Sequence, residues 1–584
     1  MRQRLDHLEQ MVQRLVSQQP PQPTPSPDVS QAGSDSVSLT TSNSGPIGMT
    51  VIERGHSVYK PAEDWYDVLQ EINELKKTWS ESQDAPEEVS QTLSNSVDGT
   101  SLLFGQVERV DVADILASLP SRVEVEKLSD WFFDRSRFPV SIPPIIHEQT
   151  FRQELAKHWD DPSRSSIIWV GLLFSILGIT MLACQLGEPP EYRGISEQLF
   201  HLYRLRTAQC LLIGDIAKCL PYTIETLRFN ATAELNRKDD NSRGLWIMTG
   251  VVVRAAVNMG YHRDPDHTPS LSVLEAEYRR RVWLSVVGMD EVASFMSGFP
   301  RMIPAINADT KEPHNLLDSD LTHETASLPA SRPETEITPA SYMIAKGRLF
   351  TGLGEIIDFI TGPSADNYAR AFEIDQYLEN TYWNLPSHLR LDAAQLTSDS
   401  LTTPTDYSKL QLMFLYHHGI CTLHRKFIRK DHNEPSWHIS RSRCISSSMA
   451  IIDYQGLAKP LLYTYSRNRQ MIARAAMTLL LELESRRQGP KIESEVETAA
   501  ILQSFEKAVS LWSSASSSCD EASKMYKVLN NMLRSYKAAD EANASLLPGF
   551  ENDAVPFEDD LLHIPEGMSI DWAWWDEFIE GALF

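Results

Sequence analysis

Arg254 stands inside the apolar run "VVVRAAV", and two carboxylates, Glu277 and Asp290, stand inside the helical pattern that follows it. A charge sequestered among apolar groups either meets an opposite charge or holds a charged ligand, because leaving it unpaired costs several kcal/mol. Two neighbouring helices joined by a short turn pack antiparallel, so Arg254 is expected to pair with Asp290 first and Glu277 second, as part of the frame. Capture of a substrate or effector anion by Arg254 is the functional alternative. Arg279, Arg280 and Arg281 form a consecutive basic triplet. Successive helical residues point about 100° apart, so the three cannot face one phosphate, and solvated or ion-paired frame roles are expected instead.

Other chemistry finds little material. His417, His418 and His424 lack the spacing with a carboxylate that a helical zinc site shows, and "IIHEQTF" around His147 is not the H-E-x-x-H pattern. The acidic pairs "DDPSR", "DDNSR" and "DDLLH" each lack the third carboxylate of a metal-dependent cyclase motif. No phosphate-binding loop, nucleophile elbow or dinucleotide fingerprint is present. Cys184, Cys210, Cys219, Cys421, Cys444 and Cys519 contain no C-x-x-C pair and read as reduced thiols, so no metal or other cofactor is expected on these residues. An all-α enzyme is the third-ranked function.

The elements that must position these groups are helices. Asn241 or Ser242 can cap a helix carrying Arg254, which Gly260 and Pro265 stop. Ser272 and Glu275 fit a capping box for the next helix, ended by Gly298 and Pro300. From Val110 to about Leu533 the apolar period is helical, and "TKEPHNLLDSDLTHETASLPASRPETEITPAS" (310–341) is a polar connection between two helical halves. The fold class is all-α. Residues 167–184 are free of charge over a length of about 27 Å, close to a bilayer core. Ser175, Gly178, Thr180 and acidic flanks favour a buried central helix over a membrane span.

Around this domain, 101–537, lie four shorter segments. Leu5, Leu8, Val12 and Leu15 lay one seam on a short coiled-coil helix, 1–16, which suits homodimerisation. Residues 17–59 are rich in Pro, Ser, Gln and Thr and read as a disordered linker. Residues 60–100 hold an amphipathic helix with Trp65, Val68, Leu69, Ile72, Leu75 and Trp79 on one face, and a further linker. Residues 538–584 carry twelve acidic groups, no Lys or Arg, and the aromatics Trp572, Trp574, Trp575 and Phe578. That composition fits an activation segment that binds coactivators, and equally a terminal helix docked on the core. The formal net charge of −25 argues against coating nucleic acid or an anionic membrane, and the start "MRQRLDHLEQ" lacks a signal-peptide core.

Taken in order, "LSDWFFDRSRFPVSIPPIIHEQTFRQEL", "LWIMTGVVVRAAVNMGYHRDP", "EAEYRRRVWLSVVGMDEVASFMSGFPRMI", "ADTKEPHNLLDSDL" and "LQLMFLYHHGICTLHRKFI" resemble the middle homology region of fungal binuclear zinc-cluster transcription factors, over roughly residues 60–430. The motif residues are Gly260, His262, Arg263, Asp264, Arg279, Arg280, Arg281, Trp283, Gly298 and Pro300. Leu284 replaces a usual Trp, Glu291 stands where Arg is common, and "GFPR" replaces Gly-Arg-Pro. The resemblance implies a nuclear regulator of RNA polymerase II genes, of the kind that governs biosynthetic or catabolic sets. It also implies a six-cysteine cluster, C-x2-C-x6-C repeated once, that holds two zinc ions and reads DNA. The six cysteines of this sequence match that cluster in number only. DNA contact is therefore expected from a zinc cluster upstream of these residues or from a partner, and a regulatory or scaffold protein without DNA affinity is the runner-up.

Overall fold

The computed structural model describes residues 48–53, 56–61, 102–104, 107–134, 142–187, 189–237, 242–362, 367–391, 404–428, 435–457, 466–488, 495–516 and 520–545. Fifteen α-helices occur among them: α1 (Val112–Ala117), α2 (Arg122–Phe133), α3 (Glu148–Asp160), α4 (Ile167–Gly187), α5 (Ser196–Gly214), α6 (Thr223–Leu235), α7 (Ser242–Asn258), α8 (Val273–Ser297), α9 (Pro339–Thr361), α10 (Tyr368–Trp383), α11 (Pro404–Arg425), α12 (Pro435–Leu457), α13 (Ser466–Gln488), α14 (Glu495–Ala515) and α15 (Asp520–Ser545). The all-α expectation holds for the domain. The coiled-coil residues Leu5, Leu8, Val12 and Leu15, the amphipathic pattern of 65–79, and Trp572, Trp574, Trp575 and Phe578 lie outside the described residues.

Two departures concern the flanks. Gly48–Glu53 and His56–Pro61 pair as antiparallel strands, β1 and β2, with Val51 opposite Val58 and Thr50 opposite Tyr59. The end of the expected linker 17–59 is thus a hairpin. β-Branched residues stand on both arms there, Tyr59 is added on the second, and only Arg54 and Gly55 separate the arms. At the other end, α15 continues to Ser545, past the expected boundary at 537.

Helix α4 is the centre of the N-terminal half. Its 21 residues are all uncharged, and it is, among the described residues, the helix long and apolar enough to cross a membrane, yet Ile168, Leu172, Leu173, Phe174, Leu177 and Met181 are buried within the domain. Its two buried hydroxyls are satisfied locally: Ser175 Oγ donates to Leu172 O at 2.7 Å and Thr180 Oγ1 to Ile176 O at 2.9 Å. Helices α2, α5 and α6 pack around it, which is why its apolar residues occupy every face.

A second core gathers α9 to α15, with Trp512 and Phe505 fully buried. Helices α7 and α8 pack against each other and serve both cores. Val252, Val253, Ala256, Val282, Trp283 and Val286 belong to the α4 core, whereas Leu245, Met248, Met289, Val292 and Phe295 belong to the second. The connection 310–341 does more than join the halves, since it lies along α8 and packs Leu316 and Leu321 on Leu274.

Phe174→Ala should cost about 3–5 kcal/mol, the range for deleting a fully buried aromatic ring. Denaturant unfolding followed by tryptophan fluorescence reads this, and a loss below about 1 kcal/mol would contradict the placement of α4 at the centre.

Candidate functional site

Helix α7 ends in a Schellman motif: Tyr261 N–H donates to Ala256 O and Gly260 N–H to Val257 O, both at 3.0 Å. Gly260 takes φ 75°, a left-handed conformation that glycine adopts without penalty. Arg279 of α8 seals this end, donating from Nη2 to Met259 O at 2.6 Å with its guanidinium 4.2 Å from the Tyr261 ring centroid. A cation on the last carbonyls of a helix also complements its dipole.

The turn then delivers Asp264 to Arg280. Arg280 donates from Nε and Nη2 to the two Asp264 oxygens at 3.1 and 2.8 Å, and from Nη2 to Asp266 at 2.7 Å. The same carboxylate accepts the backbone N–H groups of Asp266 at 3.0 Å and Lys311 at 2.9 Å. Burial pushes the Asp264 carboxyl up, but Arg280 and these N–H donors more than reverse it and hold it well below the usual carboxylate range. His262 is half-buried with its ring centroid 6.4 Å from that of Trp283, whereas Arg263 lies on the outer side of the turn and meets Asp309 at 3.4 Å.

One and two turns along, Glu277 and Arg281 do the same for residues 314–318. Glu277, fully buried, accepts the His314 backbone N–H at 2.7 Å, and the His314 ring Nδ1 lies 2.9 Å from its other oxygen. Arg281, also fully buried, donates to Asp318 at 2.9 Å, Leu316 O at 3.0 Å and Tyr278 Oη at 3.1 Å. The three consecutive arginines therefore face three different partners, as their helical spacing requires.

The expected pair between Arg254 and Asp290 or Glu277 does not form. Arg254 is exposed on α7, and among the described residues no ion pair reaches it. The reason is helical phase. Val252, Val253, Ala255 and Ala256 bury the inner face of α7, and Arg254 falls between them on the outer stripe. Glu277 is taken by His314, and Asp290 accepts the N–H groups of Met302 at 2.7 Å and Ile303 at 2.9 Å. Burial raises the Asp290 carboxyl above its ordinary value, against those two donors.

The neighbouring Glu291, one of the departures from the family pattern, has a guanidinium of its own. Arg301 donates to both of its oxygens at 2.7 and 2.8 Å and also to Asp358 at 2.7 Å. Arg301 belongs to "GFPR", so the two departures compensate each other in space. Burial pushes Glu291 up to about 8, with Arg301 opposing. The pair sits on Gly354 of α9, where a Cβ would overlap the Glu291 carboxylate.

A further buried constellation was not legible in the sequence. Asp375 of α10 lies 3.2 Å from His424 Nε2, His424 Nδ1 lies 2.9 Å from Ser440 Oγ, and Arg443 donates to Asp375 from Nε at 3.0 Å. Burial raises the Asp375 carboxyl, and His424 and Arg443 bring it below its ordinary value. The connectivity is that of a nucleophile, base and acid, but Ser440, His424 and Asp375 are at most 1% exposed, so no carbonyl substrate can approach the hydroxyl. The nearby cavity bounded by His418, Cys421, Arg425 and Arg474 has room for a single water molecule. These three residues come from three helices, and no local spacing announces them.

Among the described residues no group of three or more His, Cys, Asp or Glu side chains could hold a metal ion. Cys184, Cys210, Cys219, Cys421 and Cys444 are free thiols on separate elements and do not fit a zinc cluster. What the site does chemically is bind its own chain: α8 presents buried charges that fix the turn 260–267 and the segment 301–320.

Residues 130–354 match the fungal specific transcription factor domain, a span that contains α7, α8, the turn 260–267 and the segment 301–320. The chain is 33% identical over 419 residues to the Zn(2)-C6 fungal-type transcription factor pigI of Monascus ruber, covering 70% of this chain and 50% of that protein. It is 30% identical over 559 residues to the Zn(2)-C6 fungal-type transcription factor mpsB of Macrophomina phaseolina, covering 91% of this chain and 74% of that protein. It is also 29% identical over 537 residues to the equisetin cluster transcription factor eqxF of Fusarium heterosporum, covering 87% and 76%. The chain thus spans half the length of the first of these relatives and about three quarters of the other two.

Arg280→Leu leaves Asp264 buried without its cation and should cost about 3–5 kcal/mol in denaturant unfolding. Because the Asp264 carboxyl is held below its ordinary value, its contribution is present above the ordinary Asp range and is lost as pH falls through the lower folded value. Asp264→Asn should therefore flatten the acid limb of a stability-against-pH curve. Gly354→Ala should lower the thermal midpoint by several degrees, since a methyl group there displaces the Glu291–Arg301 pair. An unchanged midpoint would show that α9 can move aside.

Proposed function

Because the chain belongs to the fungal-type Zn(2)-C6 transcription factors, and is with them a regulator of transcription, we propose that it acts in the nucleus on a set of clustered biosynthetic genes. The observation that carries this is the 30% identity to mpsB over 91% of the chain, which extends well beyond the matched domain on both sides. Both eqxF, the equisetin cluster transcription factor, and fsa6, the fusarisetin A cluster transcription factor of a Fusarium species, are named for a cluster. In this reading the helical domain is a regulatory platform, and its work is binding and not catalysis. Supporting that, the buried charges of α8 are consumed by the chain itself, and the Asp375–His424–Ser440 group is closed to substrate.

DNA contact is supplied by a zinc cluster outside these 584 residues or by a DNA-binding partner, because the cysteines here do not build one. The chain works as a homodimer through the seam Leu5, Leu8, Val12 and Leu15, and the aromatics Trp572, Trp574, Trp575 and Phe578 contact coactivators.

Deleting the gene in its host and sequencing the transcriptome tests the main reading. Transcripts of one contiguous set of biosynthetic genes should fall together by about ten-fold or more, and an unchanged transcript profile under producing conditions would refute it. Light scattering on the purified chain tests the dimer: Leu5→Glu with Leu8→Glu should convert a dimer of 66.0 kDa subunits to monomer.

A further inference from the structure

Ile247, Val251, Arg254 and Asn258 follow one another at helical spacing along the solvent side of α7. Ile247 is 54% exposed and adjoins half-buried Val251 on this stripe. The stripe broadens onto the loop after α8. There the Trp246 and Phe299 rings lie 4.7 Å apart, and the Arg243 guanidinium lies 6.0 Å from the Phe299 centroid. Gly250 is buried beneath this face: a Cβ placed there would meet Met302 Sδ at 3.4 Å and Arg254 Nη1 at 3.6 Å, so the Arg254 guanidinium lies close over the helix backbone. Residues 241–263 contain three arginines and no acid, in a chain whose formal net charge is −25, and of the three Arg263 already meets Asp309. The surface is therefore apolar and aromatic, with exposed Arg254 as a cation that no ion pair among the described residues reaches.

We propose that this face of α7 is the docking site for the chain's own C-terminal segment, residues 571–584, "DWAWWDEFIEGALF". Its composition is the complement of the face: four acids, no Lys or Arg, and the apolar groups Trp572, Trp575, Phe578, Ile579 and Leu583. Those five would share one side of a helix, with Asp576, Glu577 and Glu580 beside it and Asp571 at its first residue, the arrangement by which an amphipathic helix docks its apolar side. Arg254 then receives the carboxylate that the domain does not give it. Reach is sufficient: α15 ends at Ser545, and the 25 residues from 546 to 570 can extend about 80 Å at roughly 3.3 Å each. The docking stands by itself. Its regulatory consequence, that coactivators compete with α7 for the same aromatic side chains, rests on the function proposed above.

Hydrogen exchange of the full chain, read by mass spectrometry over residues 571–584, tests the docking. In the native protein these amides should exchange at least about ten-fold more slowly than in a synthetic peptide of the same sequence. Ile247→Asp with Arg254→Glu should bring them to the peptide's rate while leaving the thermal midpoint unchanged, since both side chains are exposed. Arg254→Glu combined with Asp576→Lys and Glu577→Lys should restore slow exchange. Peptide-like exchange in the native chain would overturn the proposal, as would slow exchange that survives the Ile247 and Arg254 substitutions. Slow exchange that disappears on dilution would also overturn it, by assigning the face to a second copy of the chain.

Discussion

Helix α8 buries five ionisable side chains, Glu277, Arg280, Arg281, Asp290 and Glu291, and almost everything else in the motif region follows from the need to satisfy them. A buried charge is tolerable only if a counter-charge or several hydrogen-bond donors meet it. No helix can do this from its own backbone, whose N–H and C=O groups are already spent. The partners therefore come from irregular segments on either side: Asp264 before the helix, then Arg301, Met302, Ile303, His314 and Asp318 after it. These contacts hold the loops in place, although their own secondary structure is limited to single 3-10 turns at Pro265–His267, Ile303–Ala305 and Asp318–Asp320. The long polar connection after α8 is ordered for this reason, although its composition resembles that of a free linker.

Much of this frame was legible in the sequence, because its signals are local. The Ser272–Glu275 capping box forms, Gly260 and Gly298 sit at the predicted helix ends with positive φ, and the uncharged run of α4 is a buried central helix. What could not be read was which buried charge meets which. Arg254 looked internal because its neighbours in sequence are apolar, yet a helix of 3.6 residues per turn carries it outside while Val252, Val253, Ala255 and Ala256, two on either side, stay in. The phase of α7 had to be fixed by the residues it packs on, and those lie tens of positions away. The Asp375–His424–Ser440 group was hidden for the same reason. The β1–β2 hairpin escaped notice because the Pro- and Ser-rich run before it dominates the local composition.

The family pattern adds something the residues alone do not. Glu291 and the "GFPR" turn look like two independent losses of a basic residue, yet in space they are a single exchange, with Arg301 facing Glu291 across Gly354. Sequence departures that occur in pairs at the same contact leave the scaffold intact, so they say little about a change of ligand. The outer face of α7, by contrast, carries charge that the scaffold does not use, which makes it the more informative surface for regulation.

Helix α4 has a history as well as a place. On the ribosome it emerges after α2 but before α5 and α6, which complete its cover, and 48 residues separate its end at Gly187 from the end of α6 at Leu235. At translation rates of about 5–20 residues per second that interval is several seconds. For that time a stretch as greasy as a bilayer span is presented to the cytosol with only α2 to fold over it. Productive synthesis of this chain must therefore lean on chaperones that shield nascent apolar segments, and its yield in a host will be limited by that shielding sooner than by the stability of the finished domain.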